Sequence, residues 1–171
     1  MILVLLGCVF LALCLFAALS DINRLIIPNW LNLSLAVLFV PAALVSGLPL
    51  EIIGGHIVVA LCSFVIAFGL FAFNIFGGGD AKMIPAVMLW IGPNTAIEFL
   101  YIMAIAGGAF AVVILLVRKM MPIEVVPGAM RAPFEEDAGV PYGVAIAAGV
   151  FAAGGGSPFL TEILSQISVF G

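Results

Sequence analysis

The sequence predicts an all-α protein, a polytopic helical bundle that is embedded in a membrane. Hydrophobic residues make up 65% of the 171 residues, and charged residues make up only 8%. The mean hydropathy is +1.40, whereas soluble domains are about half apolar. The apolar residues also come in successive runs near the length of about 20 residues that a membrane span needs. We expect one membrane-embedded domain over residues 1–171.

Six apolar stretches are predicted to form helices. Five of them cover residues 3–20, 30–46, 52–76, 96–117 and 141–154. A sixth stretch, residues 81–92, would be about 18 Å long as a helix, which is too short to cross a bilayer alone. We therefore expect about six transmembrane helices, of which the fourth is a short or half-membrane helix that lines a cavity.

The basic residues indicate the orientation of the chain. All of them lie in loops on one side of the predicted topology: Arg24, Lys82, Arg118, Lys119 and Arg131. Because cytoplasmic loops carry an excess of Lys and Arg, the N-terminus is predicted to lie outside and these loops inside. So few basic residues cannot form a basic face, which excludes nucleic acid as a partner.

The cysteines and the single histidine do not suggest a metal site. Cys8, Cys14 and Cys62 all lie inside apolar runs without a CxxC pair, which is typical of small packing residues. His56 lies early in the third predicted span, near its outer end, and is expected to pack rather than bind a metal. The sequence therefore predicts neither a metal nor a cofactor.

Two aspartates are the strongest candidates for chemistry. Asp21 and Asp80 each lie where an apolar helix meets a cytoplasmic loop, and ionisable residues in such places are usually functional. Two neighbouring carboxylates share a proton, so one can activate water while the other protonates a peptide carbonyl. The pattern leaves open the alternative that they are unrelated helix-end residues paired with Arg24 and Lys82.

A run of three glycines precedes the second aspartate. Gly77, Gly78 and Gly79 are unfavourable inside a helix and are expected to end the third span. Asp80 would then occupy an N-cap-like position of the short helix. Helix ends favour ionisation at the N-terminus and disfavour it at the C-terminus, which suggests Asp80 as the base-like partner and Asp21 as the proton donor.

These motifs resemble those of a known family. The segment GGGDAK, residues 77–82, fits the pattern G-x-G-D-x-K, and DINRLIIPNW places Asp21 several residues before Ile-Pro-Asn. The combination resembles the prepilin peptidases, polytopic aspartic proteases of the bacterial inner membrane. The segment VPYGVAIAAGV, residues 140–150, is similar to the start of the family's last helix. Without the paired CxxC half of larger members, the chain resembles the minimal, peptidase-only type of Flp pilus and tight-adherence systems.

The resemblance implies a function and a set of site residues. Asp21 and Asp80 would be the catalytic acids of an endopeptidase that cuts the short basic leader from Flp-like type IV prepilins at the cytoplasmic face. The supporting motif residues would be Gly77, Gly79, Lys82, Arg24, Pro28 and Asn29. Prepilins, pseudopilins, the lipid bilayer and the pilus or secretion assembly machinery are the candidate partners. A small ion-coupled transporter and a non-catalytic assembly scaffold are the alternatives.

Several residues near the site have simpler expected roles. Lys82 and Arg24 would orient the carboxylates or anchor the chain at the lipid headgroups. Asn29 is expected to cap the second span. In the long loop, residues 118–139, the acidic run 135–137 would either attract a basic leader or form a solvated turn.

Overall fold

The computed structural model describes residues 1–120, 125–128, 131–135 and 138–161, and over these ranges it is all-α, without strands. Six α-helices are present in the described ranges: α1 (Ile2–Arg24), α2 (Asn29–Val45), α3 (Leu50–Ala72), α4 (Gly78–Ile91), α5 (Ala96–Met120) and α6 (Tyr142–Ala153). The predicted fold class and the predicted number of helices are confirmed.

Three of the helices can cross a membrane by length and composition. These are α1, α3 and α5, whereas α2 and α6 are apolar but shorter. Large apolar side chains such as Leu61 and Val65 on α3 are exposed, which suits a surface that faces lipid tails rather than water. The architecture is that of a helical membrane protein.

The boundary between α3 and α4 differs from the prediction. Helix α3 ends at Ala72, and Asn74 takes a left-handed φ of 56° just before the glycine run. Gly78 and Gly79 are the first two residues of α4. The expectation that the glycines end the third span is therefore wrong. The first N–H groups of a helix have no intrahelical partner, so glycine disrupts little at this position.

The short helix α4 is the centre of the bundle. It packs against α2, α3 and α6, and its side chains Met83, Val87 and Trp90 are fully buried. The Trp90 ring stacks on Phe10 with centroids 4.4 Å apart, and its Nε1–H donates to the Leu35 carbonyl at 3.0 Å. Contacts with helices on several sides therefore fix the position of α4 and of the residues in its first turn.

His56 belongs to a packed cluster near the far end of α4. Its Nδ1–H donates to the Leu89 carbonyl at 2.8 Å, and its ring lies between Phe39 and Phe159. The side chain is buried, with the backbone of Gly92 directly against the ring. The prediction that His56 is a packing residue is confirmed.

Candidate active site

The two candidate aspartates line the same cavities at one end of the bundle. Asp21 is 5% exposed and Asp80 is 8% exposed. Both border a cavity of about 240 Å³ and a second cavity of about 450 Å³. They come from different helices, the C-terminal turn of α1 and the first turn of α4. The fold thus brings together two carboxylates that are distant in sequence.

A backbone N–H group of α6 holds the Asp21 carboxylate. Gly143 donates to Asp21 Oδ2 at 2.7 Å, and it is the second residue of α6. This N–H group lies in the first helical turn, where it lacks an intrahelical partner and where a negative charge is favoured. A Cβ atom on residue 143 would lie 2.9 Å from Asp21 Oδ2. Only glycine therefore allows α6 to approach this closely.

Gly143 was not identified as a site residue from the sequence. The segment 140–150 was noted for its resemblance, but no residue in it was given a role. A glycine directly after the Pro-Tyr pair at the start of a helix is the available signal. It is weak, because nothing local indicates that an aspartate 122 positions earlier in the chain is the partner.

Asp80 lies further into its helix than an N-cap residue would. The N-cap of α4 is Gly77, and Asp80 is the third helical residue, so the predicted N-cap-like position is wrong. From there the carboxylate reaches back to the backbone of Gly77, as an acidic residue at the third helical position of a capping box does. A Cβ atom on residue 77 would lie 2.9 Å from Asp80 Oδ2, so the N-cap has to be small.

The surroundings of Asp80 favour its protonated form. Burial and, to a smaller extent, the negative charge of Asp21 raise the pKa of Asp80 to about 7, although the hydrogen bond with Gly77 acts in the opposite direction. Within the described ranges, Asp80 Oδ1 has no hydrogen-bond partner. A carboxyl group in this state holds a proton near neutral pH, and its Oδ1 is buried without a partner in the described part of the chain.

The turn between α1 and α2 packs against the start of α4. Leu25 ends α1 with φ 52°, and the chain then passes Ile27 before α2 begins. A Cβ atom on Gly79 would lie 3.0 Å from Ile27 Cβ. The glycine at position 79 therefore lets the turn that follows Asp21 lie close to the turn that carries Asp80.

Asn29 and Lys82 link α2 to α4 at the edge of the site. Lys82 Nζ donates to Asn29 Oδ1 at 2.8 Å, and both residues are exposed. The N-cap of α2 is Pro28, so the prediction that Asn29 caps this helix is wrong. As the first helical residue, Asn29 has a side chain that is free to bind Lys82. Arg24 is exposed in the last turn of α1, and its orienting or anchoring role stays a prediction.

The long loop is tied to the bundle by Arg118. Its guanidinium group donates to the carbonyls of Pro133 and Ala138, which brings the described part of the loop back over the end of α5. Glu135 is exposed. Positions 136 and 137 of the predicted acidic run lie outside the described residues, so this prediction stays untested.

Two buried carboxylates at the end of a helical bundle define a membrane protein with a paired-carboxylate site. In the described part of the chain, no three His, Cys, Asp or Glu side chains are grouped as metal ligands.

The chain belongs to the type IV leader peptidase family (Peptidase_A24), whose model matches residues 8–112. This range covers more than half of the chain and includes both aspartates, and membership indicates a peptidase. Comparisons with curated proteins and with solved structures found no match.

Proposed function

We propose that the protein is a membrane aspartic endopeptidase that removes the short basic leader from Flp-like type IV prepilins. The single observation that carries the proposal is the position of Asp21 and Asp80 on shared cavities within the range that matches the leader peptidase family. A carboxylate pair with a shared proton is the arrangement that aspartic proteases use.

The proposed reaction starts with Asp21 ionised and Asp80 protonated. Ionised Asp21 takes a proton from a water molecule as the water oxygen attacks the peptide carbonyl carbon, and Asp80 gives its proton to the carbonyl oxygen. Collapse of the tetrahedral intermediate breaks the C–N bond. The leaving amine takes the proton held by Asp21, and Asp80 regains a proton from the hydroxyl group of the intermediate.

Here Asp21 is the base and Asp80 is the proton donor, which is the reverse of the roles that the partial charges of the helix ends suggest. Three effects support it: the Gly143 N–H group stabilises a charge on Asp21, and both burial and the charge of Asp21 raise the pKa of Asp80 to about 7. For Asp80, these effects exceed the favourable effect of the α4 N-terminus, because desolvation of a buried carboxylate shifts a pKa more than a helix end does.

We place the site at the cytoplasmic face of the inner membrane, in a multi-pass protein with its N-terminus outside. Both aspartates lie at the end of the bundle where Lys82, Arg24 and Arg118 also lie. An excess of basic residues marks the cytoplasmic side. A leader with basic residues stays on this side, so the cleaved bond and the carboxylates meet there.

The test is co-expression with an Flp-type prepilin, scored by removal of the leader. Asp21→Asn and Asp80→Asn should each lower cleavage by at least about 10²–10⁴-fold. The double variant should be no worse than either single variant, because residues that act as one unit are non-additive. Aspartate-to-glutamate changes at both positions should also fail, since a shift of about 1 Å costs about 10²-fold.

The matched controls are acidic residues outside the site. Glu51 and Glu98 are exposed near the opposite end of the bundle, and their change to glutamine should leave cleavage unchanged. All variants should be present in the membrane fraction in equal amounts. Near-normal leader removal by either asparagine variant would contradict the aspartic mechanism, and no leader removal by the unsubstituted chain would favour the scaffold alternative.

A further inference from the structure

The end of α5 is joined to the loop that leads into α6. Arg118 lies in the last turn of α5 and is half-buried. Its Nε and Nη2 donate to the Pro133 carbonyl at 3.1 and 2.6 Å, and Nη2 also donates to the Ala138 carbonyl at 2.7 Å. One guanidinium group therefore holds the loop at two separate points.

The first of these points is packed against the bundle. Pro133 is buried and belongs to a short 3₁₀ turn, Ala132–Phe134. This turn contacts both α1 and α5. Arg118 therefore ties the loop to α5 at a position that α1, the helix of Asp21, also touches.

The second point lies directly before a wall of the candidate site. Gly139 and Val140 follow Ala138 in the chain, and both border the cavity of about 450 Å³ that the two aspartates also border. The chain that leaves Ala138 therefore forms one side of this cavity at once, without an intervening helix.

The same wall continues to the group that holds Asp21. Pro141 is the N-cap of α6 and has φ −72°, an angle that its ring fixes. This leaves the chain little freedom to compensate for a shift at Ala138. The Gly143 N–H group, in the first turn of α6, donates to Asp21 Oδ2 at 2.7 Å. A displacement of the loop at Ala138 would therefore reach the hydrogen bond on Asp21.

Helix α5 contacts the same segment at a second place. A Cβ atom on Gly107 would lie 2.9 Å from Tyr142 Cε1, so the Tyr142 ring lies directly on the α5 backbone. The centroid of this ring lies 5.6 Å from that of Phe76, which borders the cavity of about 450 Å³ as well. Arg118 and the Tyr142 contact are thus two attachments of one segment to α5.

The contact depends on the shape of the arginine side chain. Hydrogen bonds from an ionised donor are about twice as strong as neutral ones, and the planar guanidinium group presents several donors in a fixed fork. The ammonium group of a lysine is a compact point charge without this fork. Arg118 is not among the residues that line the two cavities of the described structure, so it acts on the site only through the loop.

We propose that Arg118 is a positioning residue of the candidate site, which holds the segment 139–143 in place and thereby keeps the Gly143 N–H group on Asp21. Its effect on cleavage rests on the proposed function. The simpler alternative is that Arg118 only supplies positive charge at this end of α5. Such a charge anchors a membrane protein at the headgroups and suits a helix C-terminus.

Hydrogen exchange tests the positioning without a substrate. In the purified full chain in detergent, Arg118→Gln and Arg118→Lys should each raise the exchange rate of the Gly143 amide at least about tenfold, because local opening exposes this N–H group. The rate is measured by NMR. The matched control is Lys119→Gln, which removes the same charge from the neighbouring, exposed residue and should leave the rate within about twofold.

Two results of the exchange experiment overturn the proposal. One is an unchanged rate in Arg118→Lys, which would show that charge alone is sufficient. The other is an equal rise in Lys119→Gln, which would show that any lost charge at this end of α5 loosens the segment.

Prepilin cleavage tests the consequence for activity. Arg118→Gln and Arg118→Lys should each lower kcat about tenfold or more, because a displaced site is costly even when the change lies away from the chemistry. The KM should stay within about twofold, since Arg118 does not contact the bound peptide. A raised KM with an unchanged kcat, or full activity of Arg118→Lys, overturns the proposal.

A double variant tests whether Arg118 acts through Gly143. Arg118→Gln added to Gly143→Ala should lower kcat by less than about twofold more, because the hydrogen bond on Asp21 is already disturbed. Losses that multiply would show that Arg118 acts elsewhere and overturn the proposal. If Arg118→Gln does not accumulate in the membrane, Arg118→Lys takes its place in each comparison.

The unsubstituted chain is assayed for leader removal in parallel. If it removes no leader, the proposed function fails, and the exchange rates at Gly143 still decide whether Arg118 holds the segment. If it removes the leader but the Arg118 variants match Lys119→Gln, the positioning role alone is rejected.

Discussion

The buried polar side chains at the two ends of the helical bundle differ in whether they have hydrogen-bond partners. At the end opposite the aspartates, the side chains are hydrogen-bonded to backbone carbonyls: His56 to Leu89, Thr95 to Ile91, Ser157 to Trp90 and, deeper in the core, Trp90 to Leu35. At the end that carries the aspartates, Asp80 Oδ1 and Asn32 Oδ1 are the buried side-chain atoms in the described ranges without a partner.

This difference distinguishes buried polar groups that have a structural role from those that have a functional role. Buried polar groups in folded proteins are almost always hydrogen-bonded, and each exception needs an explanation. Satisfied groups such as His56 stabilise the packing, and their removal should lower stability. The unsatisfied oxygens belong to Asp80, which lines the two cavities, and to Asn32, which is hydrogen-bonded to the residue directly before Asp80. Changes at the two ends should therefore affect different measurements.

The largest expected effect on stability is at the packed end. Gly92 has φ +75°, and a Cβ atom there would overlap the His56 ring. Gly92→Ala should lower the free energy of unfolding by about 3 kcal/mol, because Gly92 has ψ 178°, a backbone region that only glycine adopts readily and that costs other residues about 1–3 kcal/mol, and overpacking adds about 1–3 kcal/mol. Denaturation of the purified protein in detergent measures this change.

Gly47→Ala is the matched control for that prediction. Gly47 has a similar φ of +67°, but a Cβ atom added to it would meet no other atom within 4 Å. Its substitution should cost only the backbone strain, about 1–2 kcal/mol. If both alanine variants lose the same stability, contact with His56 is not what restricts position 92.

At the site end, a comparable change should affect activity more than stability. Gly143→Ala would place a Cβ atom 2.9 Å from Asp21 Oδ2 and displace either the carboxylate or the start of α6. Leader cleavage should fall about 10²-fold, since a shift of about 1 Å has that cost in a positioned site. The co-expression assay measures the loss, and the amount of protein in the membrane should stay constant.

Gly139 offers a control beside the same cavity. It borders the cavity of about 450 Å³ together with both aspartates, but a Cβ atom there would meet nothing within 4 Å. Gly139→Ala should retain at least about half of the activity, because surface changes away from such contacts have small effects. An equal loss in both variants would indicate that glycine flexibility near the site, rather than contact with Asp21, matters for cleavage.

Per pH unit, the smallest expected effect is a pH dependence of stability. The pKa of Asp80 is about 7 in the folded protein, against 3.8 for an ordinary aspartate, so the folded state binds the extra proton between these values. The free energy of unfolding should therefore fall as the pH rises from about 4 to about 7, by up to about 1.4 kcal/mol per pH unit. Thermal midpoints in detergent between about pH 5 and 8 measure this slope.

Asp80→Asn removes the titrating group and should flatten the slope. Above the folded-state pKa of about 7, the variant should be more stable than the parent protein, because no charge has to be buried at this position. Glu98→Gln changes an exposed carboxylate and should leave the slope unchanged. A slope that Asp80→Asn leaves unchanged would contradict a raised pKa for Asp80.

The sequence by itself determined the class of the fold and the two aspartates. Long apolar runs specify helices locally, because the backbone must satisfy its own hydrogen bonds in lipid. An even number of spans between two loops places them on the same side, which is why Asp21 and Asp80 could be expected at one end. The glycine run and the Ile-Pro-Asn segment then indicated the family.

Only the tertiary structure decided what surrounds these aspartates. The hydrogen bond from Gly143 to Asp21 and the contact of Asn32 with Gly79 join residues 122 and 47 positions apart, and no local pattern encodes such pairings. The errors at Asn29 and Asp80 have a related cause. Capping preferences predict that a helix start will use a polar side chain, but here Pro28 and Gly77 take the N-cap positions. The side chains of Asn29 and Asp80 are thereby left for contacts with Lys82 and with the site, because the packing of α2 and α4 fixes where each helix begins.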